Sequence, residues 1–283
     1  MKKIKYTLPL LCLFFILTSC ETVVEVDLPT HEPKLVVNAV INPDSILTVD
    51  VSASQSALSN QPHGQVENAT VQVYHAGQLL YTLPHTGNGK YKADQKPQVQ
   101  QHYELKVEAP GLPKASATTY IPAAPLIRNL IATPVASTAW SGTTVSATFT
   151  LTDAPGQENF YYIQAYTPDT SYLDAKPFKR SVSLELAEPF EYEFTMEDRY
   201  FFSDKLFEGK AVTLRLHLEN SLEQTTYIRI AQITRAYYDY VRTLDKQSYR
   251  DNFATPPGPV FNNIAGGLGL FAGYNATVLA VKP

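Results

Sequence analysis

Cysteine is nearly missing from this sequence: of 283 residues only Cys12 and Cys20 carry a thiol, and both lie in the first twenty positions. A disulfide framework and a cysteine-built zinc site are therefore excluded for the body of the chain. No apolar run reaches the roughly 20 residues a membrane-spanning helix needs; the longest, Leu8 to Leu17, is too short. Basic charge is not in excess either. Lys and Arg number 23 against 27 Asp and Glu, a formal net charge of −4, which argues against nucleic acid or an anionic membrane face as an electrostatic partner. H-E-x-x-H, G-x-S-x-G and S-x-x-K are also missing. No catalytic residue, cofactor or metal ligand is assigned from the sequence.

What is present begins at the N-terminus. Lys2, Lys3 and Lys5 precede the apolar segment, and the small residues Thr18 and Ser19 precede Cys20. The order basic, apolar, small, cysteine is that of a bacterial lipoprotein signal over residues 1–19. Cleavage would leave Cys20 first, and its thiol would accept the lipid. An ordinary secretory signal is the alternative, but it would end in an A-x-A-like site, which this stretch lacks. The expected chain after cleavage has 283 − 19 = 264 residues and, without the three lysines, a net charge of 20 − 27 = −7. Residues 20–33 read as a lipidated tether: Glu21, Glu25, Asp27 and Glu32 are acidic, and Pro29 and Pro33 break regular structure. The expected location is the outer membrane, held by the lipid, with the surface and periplasmic faces both open.

Short alternating runs punctuated by turns follow. Leu35 to Ile41, Ile46 to Val51, Val71/Val73, Leu79 to Leu83 and Tyr103 to Val107 read as strands. Ala76-Gly77 reads as a hairpin turn and Gly87-Asn88-Gly89 as another. Residues 34–122 are thus expected to form an immunoglobulin-like β-sandwich. Pro122 and Pro125 mark a boundary, and residues 126–283 are expected to form a second β-rich domain. Its strands include Val145 to Leu151, Tyr161 to Ala165, Phe190 to Phe194, Val212 to Leu218, Tyr227 to Ile233 and a final Ala276 to Val281. One helix is expected over about 235–249, where Tyr237, Val241, Leu244 and Ser248 recur at helical spacing without Gly or Pro. The fold class is mainly β with one packed helix.

Few residues invite chemistry. Gly267-Leu268-Gly269-Leu270-Phe271-Ala272 fits the dinucleotide G-x-G-x-x-A spacing, but no helix follows it, so a tight turn with close backbone approach is the reading. His63, His75, His85 and His102 share the first half and could meet at a metal; scattered surface histidines are the alternative. His217 alternates with apolar residues and should face solvent. Glu191, Glu193, Glu197 and Asp198 could line a cleft or form a charged strand face. Asp44-Ser45-Ile46 fits a short O-glycosylation pattern, with Ser45 as acceptor on an exposed turn.

Three segments carry a family resemblance: the lipobox followed by Val26-Asp27-Leu28-Pro29 and Lys34 to Ala39; Tyr237-Tyr238-Asp239-Tyr240; and Asn263 to Tyr274 with its glycines. Together they resemble the Bacteroidota outer-membrane lipoproteins catalogued as a domain of unknown function, often encoded beside a TonB-dependent receptor. Val66 to Val71 with Gly89-Lys90-Tyr91 is similar to carboxypeptidase regulatory-like sandwiches, which are usually non-catalytic. The resemblance implies a non-catalytic binding or accessory subunit of a TonB-dependent uptake system, with the membrane and such a receptor as partners and an unidentified ligand. A structural or adhesive envelope lipoprotein is the alternative, followed by a hydrolase with a non-obvious site.

Overall fold

Alternating side chains bury one face of many of the strands, Leu35–Ile41, His102–Glu108 and Thr144–Thr152 among them. The computed structural model describes residues 31–56, 59, 64–135, 144–171, 176–187, 190–219, 224–248 and 258–282. The first part of the chain holds β1 (Leu35–Ile41), β2 (Thr48–Ala53), β3 (Thr70–His75), β4 (Gln78–Leu83), β5 (His85–Gly87), β6 (Lys90–Lys92), β7 (His102–Glu108) and β8 (Ala115–Tyr120). Then come β9 (Leu126–Val135), β10 (Thr144–Thr152), β11 (Phe160–Thr170), β12 (Pro177–Val182), β13 (Leu184–Leu186) and β14 (Phe194–Met196). β15 (Arg199–Ser203), β16 (Ala211–Glu219), β17 (Thr226–Ile233), helix α1 (Arg235–Ser248) and β18 (Leu268–Val281) complete it. Among the described residues the protein is mainly β with one helix packed on a sheet, as its sequence pattern indicates.

Two sheets of the first part face each other. β4-β3-β7-β8 covers β1, β2 and β6, and Val37, Val49, Val51, Val71, Tyr91 and Leu105 interdigitate in the gap. The Ala76-Gly77 hairpin forms as expected, with both residues at positive φ (49° and 77°). In the second part β13-β16-β10-β9 covers β11, β15 and β17 around Phe149, Ile163, Leu214, Leu216 and Ile230. Two such packed layers are the minimum that hides a one-sided apolar sheet.

One long sheet runs through both parts, in the order β14-β15-β11-β17-β18-β1-β2-β6-β5, with β12 also on β11. Its junction is β18. Leu268 to Gly273 pair in parallel with Val36 to Ile41 of β1; from Tyr274 onward the strand pairs antiparallel with β17. Along its length β18 sends Phe271 into the first core, Val281 into the second, and Leu270 and Ala272 beneath helix α1. The connecting residues are tied to the same strand: the Asn275 amide donates to the Pro122 carbonyl at 3.1 Å, and the Thr277 hydroxyl to that of Pro125 at 2.7 Å.

The glycines explain themselves at this junction. A Cβ on Gly273 would lie 2.0 Å from the Tyr120 carbonyl oxygen, and one on Gly269 would lie 2.2 Å from that of Val37. The close approach read from the sequence is present, but inside a strand as well as at the Ala265–Gly267 turn. The final strand therefore begins at Leu268, eight residues before the expected Ala276. Asn263 completes the arrangement. Its amide donates to the Phe271 carbonyl at 2.8 Å and accepts from the Phe271 N–H at 2.9 Å, as a neighbouring strand would.

Two other expectations are corrected. Phe190 to Glu193 is a loop, and strand begins only at Phe194, because Glu193 folds back to accept from Ser203. Leu244 is half-buried while Tyr237, Tyr238 and Val241 are buried, so the helix turns its tyrosines into the sheet. That covering buries Phe160 and Tyr162 on the face of β11 opposite Tyr161 and Ile163.

Gly273→Ala should destabilise the protein by about 3 kcal/mol, since a methyl must displace backbone. Gly77→Ala has open space around it and should cost about 1 kcal/mol, for its positive φ alone. Urea unfolding of the two variants checks the difference.

Candidate functional site

A cleft of about 410 Å³ opens beside the loop before β14, lined by Phe190, Glu191, Tyr192, Glu193, Phe202, Ser203, Lys205 and Leu206. Its floor is aromatic: Phe190 meets Phe202 edge-on at 4.9 Å, and Tyr192 meets Tyr200 at 5.0 Å. Leu206 is 81% exposed at the rim and Tyr192 46%. Such a mixture, an apolar base with few polar groups at fixed places, suits a small ligand.

Both walls are anchored. Glu193 accepts from the Ser203 N–H at 3.1 Å, from the Ser203 hydroxyl at 2.5 Å and from the Tyr238 hydroxyl. Burial alone would push the Glu193 carboxyl up; the Ser203 and Tyr238 donors and the Lys205 charge outweigh it and hold the carboxyl below its usual range. Its contribution to stability is thus present above the ordinary carboxylate pKa and lost as pH falls through the lowered one.

Behind the other wall lies a buried polar knot. Asp153 accepts from the Tyr161 hydroxyl at 2.7 Å, from the Asn159 amide at 3.1 Å and from the Gly209 N–H at 2.8 Å. Asp204 accepts from the Asn159 N–H at 2.8 Å, and Gln232 donates to Asn159 at 2.6 Å. Burial lifts the Asp204 carboxyl above its usual range; the Asn159 amide opposes this in part, and Asp153 adds to it. Tyr161, desolvated and bound to Asp153, is held strongly in its neutral form. The knot fixes the start of the 204–210 loop to β11 and β17, which presets the cleft.

The first sandwich carries a second depression, about 470 Å³, beside Tyr81, Thr82, Pro84, Lys92 and Asp94. It has no comparable buried polar anchor among the described residues, so the Glu193 cleft is the stronger candidate.

Residues singled out in the sequence fall as follows. Glu191 and Glu193 line the cleft; Glu197 and Asp198 form the tight β14–β15 turn, and Glu197 is paired with Arg199. His75, His85 and His102 each pack on a different tyrosine, Tyr103, Tyr91 and Tyr120, and among the described residues no cluster could hold a metal. His63 and Cys20 lie outside the described residues. His217 sits half-buried on the outer face of β16. Ser45 is exposed on a turn, where Asn42 accepts from the Ser45 and Asp44 N–H groups. The Asp153, Asn159 and Asp204 knot had no sequence signal, since polar residues at the ends of strands are ordinary loop composition.

Fold and cleft define a mainly β scaffold of two sandwiches on one continuous sheet. The chain belongs to the family described as "Domain of unknown function (DUF4249)", whose model matches residues 21–279. Among curated proteins none matches. Among solved structures, a DUF3823 family protein from Bacteroides uniformis is similar at 10% identity, covering 89% of this chain and 99% of that one with a TM-score of 0.25. The BSP domain of a biofilm-associated protein is similar at 9% identity, covering 88% and 59% with a TM-score of 0.21. Scores this low carry no argument about function.

Tyr161→Phe should cost about 1–2 kcal/mol, because buried Asp153 loses its hydroxyl donor. Urea unfolding of the variant against the parent measures it.

Proposed function

We propose that the chain is a non-catalytic binding or accessory lipoprotein, anchored at the outer membrane through lipid on Cys20 and working beside a TonB-dependent receptor in uptake. The observation that carries the binding role is the Glu193 cleft, whose walls are fixed before any ligand arrives. Preorganisation of this kind spares a ligand the cost of ordering loops. The anchor rests on Leu17-Thr18-Ser19-Cys20. The hydroxyl of Ser203 and the carboxylate of Glu193 form a hydrogen bond with no histidine among the lining residues, which favours binding over serine chemistry. Ser45, exposed on its turn, is proposed as an O-glycosylation acceptor.

A structural or adhesive role is the second reading, and β9 favours it. Among the described residues this ten-residue strand is an edge, with Ile131 62% exposed. Open edges invite pairing with another strand.

Affinity purification from detergent-solubilised outer membranes should recover the protein together with a receptor. Cys20→Ala should abolish acylation and release the protein from the membrane. Recovery of the protein alone would count against the accessory role, and an acylated Cys20→Ala protein would sink the anchor.

A further inference from the structure

Helix α1 covers only one end of the outer face of the β11–β17–β18 sheet. At the other end the register sets Gln164, Arg229 and Val278 in one row and Tyr166, Tyr227 and Ala280 in the next. Ser181 of β12 lies opposite Tyr166. Directly opposed residues share a face, so these side chains form one platform.

Its centre is cationic. The Arg229 guanidinium lies 5.7 Å from the Tyr166 ring centre, and the Lys179 ammonium sits 4.5 Å over the same ring. Tyr166 and Tyr227 stack at 5.6 Å with 19° between their planes. The Tyr162 and Tyr274 hydroxyls face the same guanidinium. The arginine Nε is buried and has no hydrogen-bond partner.

Among the described residues, the countercharge is what is missing. Arg180 pairs with Asp169, Arg199 with Glu197, and Arg235 and Arg242 with Asp239. Among the described residues neither Arg229 nor Lys179 pairs with a carboxylate. Removing a guanidinium from water is costly without an anion. Tyrosine hydroxyls orient it but do not neutralise it. Ala276 and Ala280 flank Val278, the β18 residue opposite Arg229, with side chains that end at Cβ.

The geometry points to an oxyanion-binding site centred on Arg229, with Lys179 as a second cation and the Gln164 amide beside them. Its ligand carries a carboxylate, which the planar guanidinium matches in bidentate fashion; phosphate offers the same chemistry from another source. The site shares no lining residue with the Glu193 cleft, so failure of one leaves the other standing.

Calorimetry on the full-length detergent-solubilised protein, at fixed ionic strength, tests this with galacturonate, inorganic phosphate and neutral galactose. Galacturonate should bind saturably and galactose should not. Arg229→Gln should weaken galacturonate binding about tenfold or more, and Lys179→Gln should weaken it less. Tighter binding of phosphate, lost in Arg229→Gln, would also support the site and assign its anion to phosphate. No saturable binding of either anion, or binding unchanged in Arg229→Gln, would overturn it. If circular dichroism shows that Arg229→Gln does not fold, Lys179→Gln serves instead: its side chain is exposed, and unchanged anion binding there overturns the proposal.

Discussion

The parallel pairing of β1 with the first half of β18 is the contact on which the rest of the structure depends. It joins Asn38 to Leu270, residues 232 apart in sequence. It exists because glycines let backbone approach backbone: Gly269 against Val37, and Gly273 against Tyr120. At Gly273 β18 changes partner from β1 to β17, and the Thr234 N–H donates to the Gly273 carbonyl at 3.0 Å just before helix α1 begins. One small residue thus meets the end of the first sandwich, the start of the second and the root of the helix.

The binding features follow from that frame. A shared sheet gives β11 and β17 neighbours on both edges, and the helix covers part of their second face. Strands so confined can carry polar groups that a lone sheet could not hold in place. Asn159 at the head of β11 and Gln232 near the end of β17 lock the loop that walls the Glu193 cleft. Farther along the same strands, Gln164 and Arg229 emerge where the helix has ended. The cleft and the cationic platform therefore sit on one rigid support.

Local order was legible in the sequence. Val71 and Val73 alternate up to Ala76-Gly77, and two residues at positive φ are what a tight hairpin needs. The spacing of Tyr237 and Val241 gave the helix to within a residue of its observed end. Long-range order was legible only in part. The glycines announced close approach, but which carbonyls they approach depends on strands more than a hundred residues away. Tyr162 read as one member of an ordinary strand, because nothing local says that a helix will cover it. Arg229 alternates with Ile228 and Ile230 as any solvent-facing residue would. Its isolation from the carboxylates of the described residues emerges only when four strands and their ion pairs are placed together. Asp153, Asn159 and Asp204 are scattered polar residues until folding brings them within hydrogen-bond range.

The central claim is that the β1–β18 pairing makes the two sandwiches one cooperative body. Native-state hydrogen exchange, read by mass spectrometry on peptides spanning 35–41, 268–273 and 226–233, tests it most directly. The account predicts that all three open together, with the same free energy and the same dependence on denaturant. If 35–41 and 268–273 exchanged well before 226–233, the two sandwiches would open independently and the account would be contradicted.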